Sequence, residues 1–158
     1  MRVVVQRVKE GSVIIQGNVY SSIGRGFVIL VGVRSGDTEK DATFLADKCS
    51  SLRVFDDSGG KMNLGVKDVD GSALVVSQFT LYGDARKGNR PSFAAAAGPE
   101  KAEPLYEAFV LRMRENLGEQ KVVTGVFGAM MDVRILNDGP VTIIIESTNG
   151  RVEDPASN

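Results

Sequence analysis

Histidine is missing from this 158-residue chain. That removes every Ser-His-Asp and Cys-His mechanism and every His-ligated metal site. Only one cysteine is present, Cys49, so no disulfide can form within the chain and no thiolate zinc cluster can be built. Cys49 falls on an apolar helical face beside Leu45, Ala46 and Leu52, which reads as core. Neither sign of charge dominates, with Lys+Arg 19 against Asp+Glu 20. A broadly basic nucleic-acid binder is thereby excluded, although a local basic patch is not. No stretch approaches the ~20 apolar residues of a membrane span. The opening MRVVVQRVKEG has too short an apolar run for a signal peptide, so the expected compartment is the cytoplasm, with no membrane partner. Repeats, low-complexity segments and linkers are also lacking. With histidine gone, side-chain acid–base chemistry is limited to Asp, Glu, Lys, Tyr and the hydroxyls, or a group is borrowed from the substrate.

What remains is an ordinary globular composition, 42% apolar and 25% charged. Strands are expected at Arg2–Val8, in a hairpin arm over Ser12–Gly24 turning at Gly17-Asn18, and at Gly26–Val33, whose continuous apolar run predicts burial on both faces. Asp37 or Thr38 should cap a helix carrying Ala42, Leu45, Ala46, Cys49 and Leu52 on one face. A turn at Asp56–Gly60 and a strand over Ser72–Gly83 follow. Then comes a polar loop, Asp84–Phe93, and a second helix over Pro99–Leu117, with Pro104 expected to kink it or mark its start. Strands at Lys121–Phe127, Met130–Leu136 and Val141–Ile145 complete the pattern, and a frayed polar tail is expected after Ser147. The expected fold is α+β: one domain over 1–147 with a tail over 148–158. It is built on a largely antiparallel or mixed sheet curled toward a barrel, with two packed helices.

Three stretches carry possible chemistry. In LNDGPVTIII, Leu136–Ile145, a β-branched strand opens on Gly139-Pro140. Proline is confined to strand starts, edges and bulges, and the simplest reading is a hairpin corner. In VVSQFTLYGD, the polar residues Ser77, Gln78 and Thr80 end an apolar strand, either emerging into solvent or forming a row of site groups. In ARKGNRPSF, Arg86, Lys87 and Arg90 lie close to Phe93. That is either a solvated loop or a place to contact phosphate and stack a base, with Arg112 and Arg114 of the second helix as candidates to extend the patch.

SQFTLYGD, GNRPSF, TGVFGAMMDVRILNDGPVT and the early QRV, in this order, resemble the D-aminoacyl-tRNA deacylase family over nearly the whole chain to about Ser147. The resemblance implies a homodimer that hydrolyses the ester joining a D-amino acid, or glycine mischarged on tRNA-Ala, to the terminal adenosine of tRNA, sparing L-aminoacyl-tRNA. It needs no cofactor and no metal. Gly139-Pro140 would be a cis peptide entering the partner's site as a chiral filter, with Arg7 holding its carbonyls. Ser77, Gln78, Phe79 and Thr80 would form the catalytic wall, and Arg86, Lys87 and Arg90 would contact tRNA. Backbone N–H groups near Phe79 and Thr80 would be the oxyanion donors, and the substrate's vicinal 2′-hydroxyl would help orient water. Thr80 would either position the substrate or attack it. Two other classes remain open on the residues alone: a non-catalytic dimeric nucleic-acid-binding module using the basic loop, and a small-molecule-binding β protein.

Overall fold

The computed structural model describes residues 1–152. Among these residues nine strands and two α-helices follow one another as β1 (Arg2–Ile15), β2 (Asn18–Ile23), β3 (Gly26–Gly32), α1 (Glu39–Ser51), β4 (Arg53–Asp56), β5 (Met62–Gly65), β6 (Ser72–Ser77), α2 (Pro99–Leu117), β7 (Val122–Thr124), β8 (Asp132–Thr148) and β9 (Arg151–Val152). The main sheet has the order β7-β6-β3-β1-β8-β9, with β2 also on β1. β1 pairs antiparallel with β2, β3 and β8, whereas β6 runs parallel to β3 and to β7. The sheet is therefore mixed. It curls until the Ser21 hydroxyl of β2 donates to the Thr124 carbonyl of β7 at 2.7 Å.

Two apolar clusters follow from strand alternation. Phe27, Ile29 and Val31 of β3, with Ala73 and Val75 of β6, face α1 and α2. Val28 of β3, with Leu74 and Val76 of β6, faces the inside of the curl with Val8, Val13 and Ile23. β3 is buried along nearly its whole length, as its unbroken apolar run predicts. Cys49 is fully buried in the helix-side core, and burial pushes its thiol up to about 12, so it is chemically quiet.

The structure corrects some of these expectations and settles others. The first hairpin turns at Gln16-Gly17, one residue before Gly17-Asn18, because both turn residues take positive φ, 51° and 79°. Arg2–Val8 and the following arm are one strand bulged at Lys9. Asp56–Gly60 lies within a small hairpin, β4–β5. The strand from Ser72 stops at Ser77, and Phe79–Tyr82 form a 3-10 turn. α2 starts at Pro99, and Pro104 sits inside it, where the Glu100 carbonyl it leaves unpaired lies on the exposed side of the first turn. Thr38 caps α1, its N–H and hydroxyl both donating to Asp41 Oδ2. The chain after Ser147 is folded as far as Val152: β9 pairs back on β8, and the Asp41 carboxylate accepts from the Ser147 hydroxyl and the Gly150 N–H. The rest of the tail, 153–158, lies outside the described residues.

Gly139-Pro140 is not a hairpin corner. β8 passes straight through it and pairs with β1 on both sides, Val8 opposite Asn137 and Gln6 opposite Thr142. Four residues, Asp138 to Val141, thus stand opposite Arg7 alone. This bulge and the one at Lys9 exchange the faces of both strands. In β1, Val3 and Val5 face the helices but Val13 faces the curl. In β8, Val133 and Ile135 face the curl but Val141, Ile143 and Ile145 face the helices. One long pair of strands can in this way contribute to both cores.

Candidate active site

β6 leaves the core at Ser77, where the apolar alternation ends and the chain turns into the 3-10 segment Phe79–Tyr82. The Gln78 N–H donates to the Val31 carbonyl at 2.7 Å, tying the turn to the end of β3. Ser77, Gln78, Phe79 and Thr80 together line a cleft of about 640 Å³. Its floor is apolar, with Val31, Val76, Tyr106, Phe127, Met131 and Val133 among the lining residues. The polar cluster therefore borders a cavity. Thr80 is exposed, and its hydroxyl accepts a hydrogen bond from the Gln78 side-chain amide. Phe79 is exposed and meets Phe93 edge to face, with ring centroids 5.1 Å apart. In such a short turn the first N–H groups, those of Phe79 and Thr80, have no acceptor within the turn itself.

Among the described residues the cleft lining contains no carboxylate and no lysine. The titratable group among these lining residues is Tyr106, whose hydroxyl donates to the Val75 carbonyl at 2.9 Å and is pushed up by burial. Among the described residues no cluster of His, Cys, Asp or Glu could hold a metal ion. No helix of the described residues is long and apolar enough to cross a membrane.

The second group of residues lies elsewhere on the sheet. The Gly139-Pro140 bond is cis, and both residues are exposed. Neither lines the cleft beside Thr80. Arg7 is buried beneath them. Its Nη1 donates to the Val54 carbonyl at 2.6 Å and its Nε to the Asp138 carbonyl at 3.0 Å. Asp138 Oδ2 at 3.5 Å and Asp56 Oδ2 at 3.8 Å complete its charge pairing. The carbonyl it holds is thus the one preceding Gly139. A Cβ on Gly139 would lie 3.2 Å from Arg7 Nη2, so guanidinium and bulge are packed together.

In the basic loop, Arg86, Lys87 and Arg90 are exposed, but the first is occupied. Asp84 accepts from the Arg86 backbone N–H, Nε and Nη2, at 2.9, 3.0 and 2.9 Å. That guanidinium holds the Asp84 carboxyl down at about 2. Arg112 and Arg114 serve other partners: Arg112 bridges α2 to Asp47 of α1 at 2.7 Å, and Arg114 lies 3.3 Å from Glu119. Sequence reasoning missed the cleft floor, because Tyr106, Phe127 and Met131 read as plain core. It also missed Gly32, where a Cβ would lie 3.1 Å from the Gln78 carbonyl.

The model of one family, described as D-Tyr-tRNA(Tyr) deacylase, matches residues 4–146. The chain is 60% identical to the D-aminoacyl-tRNA deacylase of Brevibacillus brevis over 147 residues, 93% of this chain and 100% of that one. It is 57% identical to the D-aminoacyl-tRNA deacylase of Thermus aquaticus over 148 residues, 94% of this chain and 96% of that one. A solved structure described as c-Myc DNA Unwinding Element Binding Protein superposes with a TM-score of 0.89 at 43% identity, covering 94% of this chain and 99% of that one. A second, described as that of a "probable eukaryotic D-amino acid tRNA deacylase", superposes with a TM-score of 0.78 at 18% identity over 90% of this chain and 97% of that one, a likeness of fold.

Proposed function

The chain belongs to the D-Tyr-tRNA(Tyr) deacylase family, and from that premise we propose how its geometry hydrolyses D-aminoacyl-tRNA. The observation that carries the mechanism is the cleft without an acid or base. An aminoacyl ester is already activated, so the protein has mainly to hold it and stabilise the oxyanion. The Phe79 and Thr80 N–H groups are the donors for that oxyanion. Water attacks, oriented by the 2′-hydroxyl of the terminal ribose. Thr80 positions. Its hydroxyl already accepts from an amide N–H, and an amide cannot take a proton from it as a base would. Phe79 and Phe93 present ring faces on which the terminal base can stack, and Lys87 and Arg90 are the loop cations available to phosphate.

The chiral filter is supplied by a second copy of the chain. Gly139-Pro140 is exposed and does not line its own cleft, so the cleft and the bulge of one chain are two halves of different sites. Over most of its length β8 has β1 on one side and no strand on the other among the described residues, and it exposes Leu136 and Ile144. A long apolar strand edge of this kind invites association with another chain. In the partner's cleft the Gly139 and Pro140 carbonyls accept from the substrate ammonium. A D side chain then points away, an L side chain collides with the bulge, and glycine passes. The alternative of a non-catalytic nucleic-acid-binding module has less support, because Arg86 is already neutralised by Asp84 and the net charge is -1.

The test compares two changes. D-tyrosyl-tRNA ending in 2′-deoxyadenosine should be hydrolysed at least ~100-fold more slowly than the ribo substrate, whereas Thr80→Ala should cost less than about tenfold. A covalent acyl-Thr80 species, trapped and located by mass spectrometry, would overturn the positioning role.

A further inference from the structure

The catalytic turn is held at its far end by a side-chain cluster that none of the chemistry above uses. Gly32 of β3, Arg2 of β1 and Glu146 of β8 are register partners in neighbouring strands. The turn lies over Gly32, where a Cβ would come within 3.0 Å of Leu81 Cβ. Arg2 Nη1 donates to the Leu81 carbonyl at 2.7 Å. Its Nε and Nη2 both donate to Glu146 Oε2, at 2.8 and 2.7 Å. The same guanidinium sits 5.0 Å from the Tyr82 ring centroid, and the Tyr82 hydroxyl donates to Glu146 Oε1 at 3.3 Å. Arg34 Nη1 approaches Glu146 Oε1 at 3.7 Å. One carboxylate thus fixes an arginine and a tyrosine. Between them these grip the C-terminal end of a turn whose last carbonyls lack partners of their own.

We propose that Arg2, oriented by Glu146 and Tyr82, is a positioning residue that fixes the Ser77–Thr80 wall for ester hydrolysis. The proposal rests on the reading of that wall as the oxyanion site. A carbonyl in this turn is bonded to a charged donor, so the turn cannot rotate without breaking a charge-assisted hydrogen bond. The Phe79 and Thr80 N–H groups belong to the same short turn. If Leu81 loses its donor, those N–H groups are free to shift relative to the ester. A displacement of about 1 Å in reacting geometry costs roughly 100-fold in rate.

The experiment uses the full chain with D-tyrosyl-tRNA, and reads kcat, KM and amide hydrogen exchange by segment. Arg2→Met keeps much of the aliphatic stem and removes the donors. The expected result is faster exchange confined to the segment 79–83, with β1–β3 amides unchanged, and a kcat lowered about 10- to 100-fold while KM stays within about threefold. Arg2→Lys, which can reach one of the two oxygen partners, should recover part of kcat. Uniformly faster exchange across the sheet would show a merely structural arginine and overturn the proposal. Unchanged exchange with unchanged kcat would overturn it by showing that Arg2 does not hold the turn. Faster local exchange with unchanged kcat would overturn it differently, by showing that the turn is held but is not the oxyanion site. If Arg2→Met does not fold, Glu146→Gln carries the same test, with a smaller kcat loss in the same direction expected and the same outcomes overturning it.

Discussion

Arg7 and Arg2 lie on the same face-exchanging strand, and each grips an irregular segment through one backbone carbonyl. Arg7 takes the carbonyl of Asp138 beside Gly139-Pro140, and Arg2 takes that of Leu81 in the turn that carries the proposed catalytic wall. They differ in depth. The Arg7 side chain is 7% exposed and donates to a second carbonyl, that of Val54, whereas the Arg2 side chain is 35% exposed and leans on a rim carboxylate. A buried guanidinium with several partners makes its segment part of the scaffold. A rim guanidinium fixes its segment through a single carbonyl and depends on its carboxylate partner for its own position. As the proposed filter, Gly139-Pro140 has to exclude the wrong stereoisomer by a fixed steric boundary, and the deep anchor suits that role. The proposed oxyanion donors at Phe79 and Thr80 need their short turn fixed at one end, and the single anchor on the Leu81 carbonyl suits that.

The largest expected effect breaks the deep side of this comparison. Arg7→Ala removes two hydrogen bonds to carbonyls and strands the Asp138 carboxylate, so a loss of roughly 3 kcal/mol in denaturant unfolding is expected. D-tyrosyl-tRNA hydrolysis should fall with it even under conditions where the variant is fully folded. Arg7→Ala with near wild-type stability would show that depth does not set the strength of the anchor.

A smaller effect concerns the far end of β8. Burial would raise the Asp41 carboxyl, but hydrogen bonds from Gly150, Ser147 and Thr38 outweigh it and hold the group at about 2, below its ordinary 3.8. The folded value is the lower one, so the stabilisation is complete above about pH 4 and is lost as pH falls toward 2. It amounts to about 2 kcal/mol. Asp41→Asn should be less stable at neutral pH by about that much, with a flatter acid limb in unfolding followed between pH 6 and pH 2.

How far each anchor was legible in the sequence follows from how local its partners are. The Thr38 cap, the apolar run of β3 and the second helix over Pro99–Leu117 depend on near neighbours, and these elements formed where the pattern places them. Gly139-Pro140 carries every local mark of a corner. It is a bulge because β1 supplies Gln6 and Val8 on either side of it, a fact of pairing across more than a hundred residues. The β4–β5 hairpin is short and polar at its turn, with no alternation to betray it. Ser77-Gln78 marked the wall, but the cleft it borders needed α2 and the segment Phe127–Met131 folded over it. Arg86 looked like one of three free cations, and only the fold shows Asp84 holding it.

The smallest effect sharpens the contrast between anchored and solvated segments. Changing Arg86, Lys87 and Arg90 together to Ala should leave kcat and the D-over-L ratio unchanged, because none of the three lines the cleft. It should raise KM and flatten the slope of log K against log salt by about 1 to 2, since Arg86 already has a carboxylate partner. A flattening well beyond about 3 would mean that the loop carries more of the tRNA contact than its free cations allow.

The central claim is that one chain's filter completes another chain's cleft, and complementation between two defective variants tests it most directly. Gly139→Ala puts a Cβ at φ +128°, 2.9 Å from Val141 Cγ2, and re-aims the filter while leaving the cleft intact. Phe79→Pro removes the Phe79 N–H donor at the first position of a turn that tolerates proline, leaving the filter intact. Each variant alone should lose D-tyrosyl-tRNA hydrolysis by about 100-fold or more. Co-expressed in equal amounts, they should regain about a quarter of wild-type activity, since half the dimers are mixed and each mixed dimer holds one intact site. Activity in the mixture no greater than the average of the two variants measured separately would contradict the account and place filter and cleft in the same chain.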